Sequence, residues 1–285
     1  MIFSAYLDPE SITAVDDGGG VGNDHLLGVM RSLLESCFLA ESYSWTIGKE
    51  ALRVIQNLKD PDTRLKAGAL LEMFSKRDRF VPLLDDAALP ENASMTDLGL
   101  AQAENPELDL IITEGTPAGD AMPEFTPISQ FNRSNFESRR QRLVSDGVTI
   151  SPGRLSGTDL FERCFGRMLL GCDSFTIEDY MIGNGFGENY YRNLPQWCDF
   201  FSSCGRKIEV TIQTQETSQN TVNSMKTRLE ELSGDTLVSF KIKTVENPRH
   251  ERFFRSPAFS LQIGRGIDLC DSSGMNRDIK INLGK

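Results

Sequence analysis

Apolar and polar positions keep one rhythm in the first half of this chain and another in the second. Residues 2–8, IFSAYLD, form an apolar run closed by an acidic side chain and predict a short strand. The stretch DDGGGVGND (16–24) reads as a flexible loop, with Asp24 placed to cap the helix that follows. From there DHLLGVMRSLLESCFLAESY sets Leu26, Leu27, Met30, Leu33, Leu34, Cys37 and Phe38 at helical spacing. KEALRVIQNL and PDTRLKAGALLEMFSK predict two more helices, the second with Pro61 suited to its first turn. LDLIIT (108–113) reads as a strand, and the three prolines and two glycines of 114–127 as loop.

The Gly/Ser/Pro-rich stretch SDGVTISPGRLSG (145–157) marks a boundary, and beyond it helix and strand alternate. Helix TDLFERCFGRMLLG leads to strand SFTIEDYMI, helix NYYRNLPQWCDFFSSC to strand KIEVTIQT, and helix SQNTVNSMKTRLEELSG to strand TLVSFKIKTV. Strands FSLQIG and DIKINL close the chain. The fold class expected is α/β throughout. A helix-rich α/β domain is expected over 1–146, and an α/β domain with a mixed sheet over 156–285, its last strands antiparallel.

Charge sharpens this division. The net charge of −11 lies wholly in residues 1–146, with 24 acidic and 13 basic side chains, whereas 147–285 carry 17 of each. A negative field repels phosphates, which excludes the first half as a non-specific nucleic-acid binder and marks it for a protein partner. No run of 18 apolar residues exists, so no membrane span is expected. The opening MIFSAYLDPES lacks the basic flank and cleavage site of a signal peptide. Six cysteines stand at 37, 164, 172, 198, 204 and 270 without a CxxC pair, and the histidines are only His25 and His250. This pattern fits reduced thiols in a cytoplasmic protein, with no metal site and no cofactor.

The densest candidate chemistry is PRHERFFRSPAFSLQIGRGIDLCD, residues 248–271. His250 and Arg252 are two apart and share a face of an extended segment. Arg255 and Arg265 add positive charge, and Gly264 and Gly266 flank Arg265 where backbone can approach a ligand. An imidazole beside fixed guanidinium groups suits phosphate chemistry: the ring attacks phosphorus or moves a proton while arginine neutralises the oxygens. The same arginines could instead pair with Asp179, Glu251 and Asp268 and brace the end of the sheet.

The motifs His250-Glu251-Arg252, Ile263-Gly264-Arg265-Gly266-Ile267-Asp268 and Asp278-Ile279-Lys280-Ile281, preceded by FTIEDYMI with Asp179 and Tyr180, have a particular order and spacing. Together they resemble the C-terminal phospholipase D-like domain that follows microtubule-interacting-and-trafficking domains. The resemblance covers residues 156–285, nearly half of the chain. It implies a phospholipase D-like α/β fold and a pocket in which His250, Arg252, Arg255 and Arg265 meet phosphate, supported by Asp179, Glu251 and Asp268. Active members of that superfamily use His-x-Lys-x4-Asp. Here Arg252 stands for the lysine and Pro257 for the aspartate, which implies a binding or adaptor protein rather than an enzyme. Relatives attached to unrelated N-terminal domains imply a bacterial, anti-phage defence setting.

Two enzymatic alternatives stand beside this reading. One is a metal-independent phosphodiesterase or nuclease, a homodimer joining two copies of His250. The other is a metal-dependent, PIN-like nuclease in the N-terminal domain, drawing on Asp8, Asp24, Asp109 and Glu114 near strand ends. The loop GNGFGENYY (183–191) follows a strand and precedes a helix but lacks the spacing and lysine of a nucleotide loop, so it reads as a tight turn. Tyr190, Tyr191 and Trp197 read as packing residues that could also stack on bases.

Overall fold

A computed structural model describes residues 2–16, 19–44, 46–86, 89–90, 92–182, 188–215, 217–233, 237–246 and 250–284. The described chain divides into two compact units, one of residues 2–142 and one of residues 143–284. Both are α/β: the first is built on a parallel sheet and the second on a mixed one.

The first unit runs β1 (Phe3–Leu7), α1 (Pro9–Asp16), α2 (Gly19–Ser36), β2 (Cys37–Glu41), α3 (Ile47–Gln56), α4 (Pro61–Lys76), β3 (Phe80–Pro82), α5 (Met95–Ala101), β4 (Leu110–Ile112), β5 (Glu124–Thr126) and α6 (Asn135–Asp146). Its five strands lie in the order β3-β2-β1-β4-β5, every neighbouring pair parallel. All residues of β1 and β4 are buried, as in parallel sheets covered on both faces. Asp60 caps α4 through the Thr63 N–H, with Pro61 in the first turn as the sequence predicts.

Three expectations change here, the first being that Glu124–Thr126, read as loop, is strand β5. CFLAE is strand β2 and not the tail of a helix. A short apolar run fits either period, and its place between β1 and β3 decides it. Asp24 does not cap α2 but sits exposed inside it, because the helix starts at Gly19. Gly22 serves packing: a Cβ there would collide with the Val15 carbonyl, so glycine lets α2 approach α1.

The second unit runs β6 (Val148–Ile150), α7 (Gly157–Leu160), β7 (Ser174–Glu178), α8 (Glu188–Ser202), β8 (Ile208–Gln215), α9 (Gln219–Ser233), β9 (Val238–Val245), β10 (Phe253–Arg255), β11 (Ser260–Ile263) and β12 (Ile279–Leu283). The sheet order is β6-β12-β11-β10-β7-β8-β9. β7, β8 and β9 are parallel, and the four strands on the other side pair antiparallel. The stretch 145–157 is therefore more than a connection, since β6 pairs with β12 at the sheet edge. The helix expected over 158–171 is short: α7 gives way to a π turn and a 3-10 turn that both carry apolar side chains inward.

An aromatic core holds this unit together. Trp197 lies 4.7 Å from the rings of both Phe161 and Phe254, and Phe165, Phe175 and Phe201 surround them. The indole Nε1 donates to the Ile267 carbonyl at 3.2 Å, so the core also anchors the turn after β11. Trp197 is thus a packing residue with its polar atom satisfied.

Candidate functional site

The turn Gly264-Arg265-Gly266-Ile267 is built around one aspartate. Asp179, the residue after β7, is fully buried. Its Oδ1 accepts from Arg252 Nε and from the Met181 N–H, each at 3.1 Å, and its Oδ2 accepts the Ile267 N–H at 3.1 Å. Gly266 has φ +62°, and a Cβ there would fall on Asp179 Oδ2, so only glycine fits the turn against the carboxylate. Burial pushes the Asp179 carboxyl above the usual carboxylate range, against the opposing pull of Arg252 and the two N–H donors.

Arg252 is held on three sides. Besides Asp179, its Nη1 donates to the Gly264 carbonyl at 2.8 Å, and its guanidinium lies 4.8 Å from the Tyr180 ring centroid. The His250 ring meets Tyr180 edge-on, with centroids 5.1 Å apart. Two adjoining clefts open beside this arrangement. One, of about 480 Å³, includes Arg252, Gly264, Arg265, Asp268, Asp278 and Lys280 in its lining. The other, of about 320 Å³, includes His250, Glu251, Arg252, Gly264, Lys280 and Asn282. Arg252, Gly264 and Lys280 belong to both.

Arg252 lines both clefts, with Arg265 on the larger and His250 on the smaller, and Arg255 is placed elsewhere. Arg255 lines neither cleft. It pairs diagonally across strands with Glu178 at 2.6 Å, donates to Ser260 directly opposite on β11, and covers the Phe253 ring at 4.3 Å. Of the expected supporting acids, Asp179 holds Arg252. Asp268 lines a cleft but pairs with Arg277 at 3.3 Å. Glu251 is exposed and pairs with no cation among the described residues. Pro257 occupies the tight turn between β10 and β11, where the Ser256 N–H donates to the Phe259 carbonyl.

Lys280 is the residue that sequence reasoning did not single out. Alternation along β12 buries Ile279 and Ile281 and exposes Lys280, which turns toward the clefts. The alternation was legible, but which strand would lie beside Gly264 was not. The loop 183–187, the side chains of Tyr190 and Tyr191, and Arg249 lie outside the described residues.

The first unit gathers acids of a different kind. Asp8 follows β1 and is fully buried. It accepts from the Thr96 hydroxyl at 2.7 Å, the Thr113 hydroxyl at 2.8 Å and the Glu10 N–H at 2.9 Å. Thr113 follows β4, so Asp8 sits at the carboxyl ends of two neighbouring parallel strands that leave the sheet centre in opposite directions. Burial raises the Asp8 carboxyl, and burial and the Asp8 charge raise Glu114. Asp109 is at the other end of β1, accepting the Ser4 N–H, four residues and roughly 13 Å from Asp8. Asp8 and Glu114 are brought together; Asp109 and Asp24 are not. Among the described residues no three His, Cys, Asp or Glu side chains are grouped to hold a metal ion, and no helix is long and apolar enough to cross a membrane.

Compared with protein-family models and with curated proteins, the chain matches none.

Proposed function

We propose that the second unit is a phospholipase D-like binding module that holds a phosphate-bearing ligand without cutting it, and that the chain works as an adaptor. The observation that carries this reading is the convergence of His250, Arg252, Arg265 and Lys280 on two adjoining clefts. The state of Arg252 favours holding over chemistry. A catalytic cation needs uncommitted donors aimed at the place where charge develops, whereas Arg252 already gives its Nε to a buried carboxylate, its Nη1 to a carbonyl and its face to an aromatic ring. A histidine nucleophile also needs a group that orients its second nitrogen, and His250 has no hydrogen-bond partner among the described residues. The acidic first unit is the side offered to a protein partner.

The test pairs binding with cleavage. A fluorescein-labelled single-stranded oligodeoxynucleotide and phosphatidylcholine vesicles with and without a phosphoinositide are titrated with the full chain. Expected is saturable binding of at least one probe, weakened about tenfold by Arg265→Gln, with the oligonucleotide left intact. Metal-independent cleavage that His250→Ala abolishes would replace this reading with the dimeric phosphodiesterase. Cleavage that needs a divalent metal and survives His250→Ala would move attention to Asp8.

A further inference from the structure

The clefts contain three cationic side chains, and they are not equally available. Arg252 has its charge met by Asp179, its Nη1 on a carbonyl and its face on Tyr180. Arg265 is exposed, lines the larger cleft and gives its Nε to the Asp278 carbonyl at 3.0 Å, and its terminal nitrogens make no hydrogen bond or ion pair among the described residues. Lys280 is exposed, lines both clefts, and makes no hydrogen bond or ion pair with its side chain among the described residues. The residue at the motif's lysine position is thus the most committed of the three, and a lysine from another strand is the least.

Gly264 gives a second, independent sign. It is exposed and lies on the shared wall of both clefts. Unlike Gly266, its backbone is outside the left-handed region. The nearest atoms to a Cβ built on it would be those of Lys280, at 3.6 to 3.9 Å, which is ordinary van der Waals contact. The fold therefore does not require glycine at 264, and the space that glycine leaves opens onto the clefts between the free cations.

We infer that the ligand's phosphoryl group rests on Gly264, gripped by Lys280 and the terminal nitrogens of Arg265. Arg252 is then a positioning residue that fixes the Gly264 carbonyl and the turn. This rests on the phosphate-binding reading above and assigns the place and the grip within that site. A tetrahedral oxyanion presents oxygens to both cations at once, and the missing side chain at 264 leaves room for it; the grip comes from the cations, since the Gly264 N–H is already donated to the Lys280 carbonyl at 2.9 Å. His250 lines only the smaller cleft, away from Arg265, and would meet the ligand's substituent rather than its charge.

The experiment uses the full chain with two probes, the labelled single-stranded oligodeoxynucleotide and a soluble inositol phosphate headgroup, each displaced by inorganic phosphate. Expected is that Lys280→Gln and Gly264→Val weaken the bound probe about tenfold or more, while Lys280→Arg stays within about threefold of wild type. Gly264→Ala, whose added methyl the fold accommodates, should also weaken binding while leaving the urea unfolding midpoint unchanged. The probe that binds identifies the source of the phosphoryl group. If wild type binds a probe but Lys280→Gln and Gly264→Ala bind it equally well, the grip assigned here is wrong and the phosphate-binding reading survives. If wild type binds no probe, both fall.

Discussion

Asp8 and Asp179 occupy matching places in the two units. Each follows the first strand of its unit's parallel set, each is fully buried, and each accepts the backbone N–H two residues on, from Glu10 or Met181. Their remaining partners differ. Asp8 receives two neutral hydroxyls, from Thr96 and Thr113, with Glu10 and Glu114 adding negative charge nearby. Asp179 receives a guanidinium and a further backbone N–H. The same strand-end aspartate is therefore left short of positive charge in one unit and neutralised in the other. In the second unit it fixes Arg252 and the turn. Partner chemistry decides what the residue does.

Breaking the ion pair should show this contrast at full size. Arg252→Leu leaves the Asp179 carboxylate buried without its counter-charge, and the second unit should lose about 3–5 kcal/mol. Urea unfolding combined with hydrogen exchange would localise the loss. A cost no larger than that of removing a hydroxyl would sink the claim that Arg252 neutralises Asp179. Gly266→Ala attacks the same hub through the backbone. The left-handed conformation costs about 1–3 kcal/mol for a residue with a side chain, and its methyl must also displace Asp179. At the other aspartate, Thr113→Val removes one neutral donor of three, with an expected cost of about 1–2 kcal/mol confined to exchange in the first unit. Equal effects of Thr113→Val and Arg252→Leu would erase the distinction between the two sites.

The sequence made some of this visible and hid the rest for physical reasons. Strand β8 alternates along its whole length and β9 and β12 along their first residues, so the strands and Lys280's exposure are legible from period. Strands β3, β5 and β10 are three residues long, too short to show a period, and exist because a neighbour supplies their ladder. His250, Arg252 and Arg265 were legible as a cluster because they are close in the chain. Lys280 was not, because its nearness to Gly264 depends on β11 pairing with β12. Arg255 shows the converse: closeness in sequence places it beside the clefts, and a diagonal partner on β7 takes it away. The pairing of Asp8 with Thr113 likewise needs β1 and β4 to be neighbours across a sequence separation of 105 residues.

The smallest predicted effect separates the two aspartates by pH. Burial raises both carboxyls above their ordinary value of 3.8. As pH rises past that value, the unfolded chain releases the proton first while the folded chain keeps it. The folded state then binds more protons, so stability falls with rising pH until the folded carboxyl ionises, and is level above that. Each aspartate therefore opposes folding once ionised, and replacing it with asparagine removes its share of the slope. At Asp8 nothing else is lost, because the Thr96 and Thr113 hydroxyls can turn to accept from an amide. Asp8→Asn should leave the first unit as stable as wild type below 3.8 and slightly more stable at neutrality. At Asp179 the same change also deprives Arg252 of its counter-charge, so Asp179→Asn should flatten the slope yet lower stability at neutrality. Urea midpoints measured from below 3.8 to neutral pH distinguish the cases. A loss of stability at neutrality for both variants would mean that the Asp8 charge is needed by a cation the hydroxyls do not reveal.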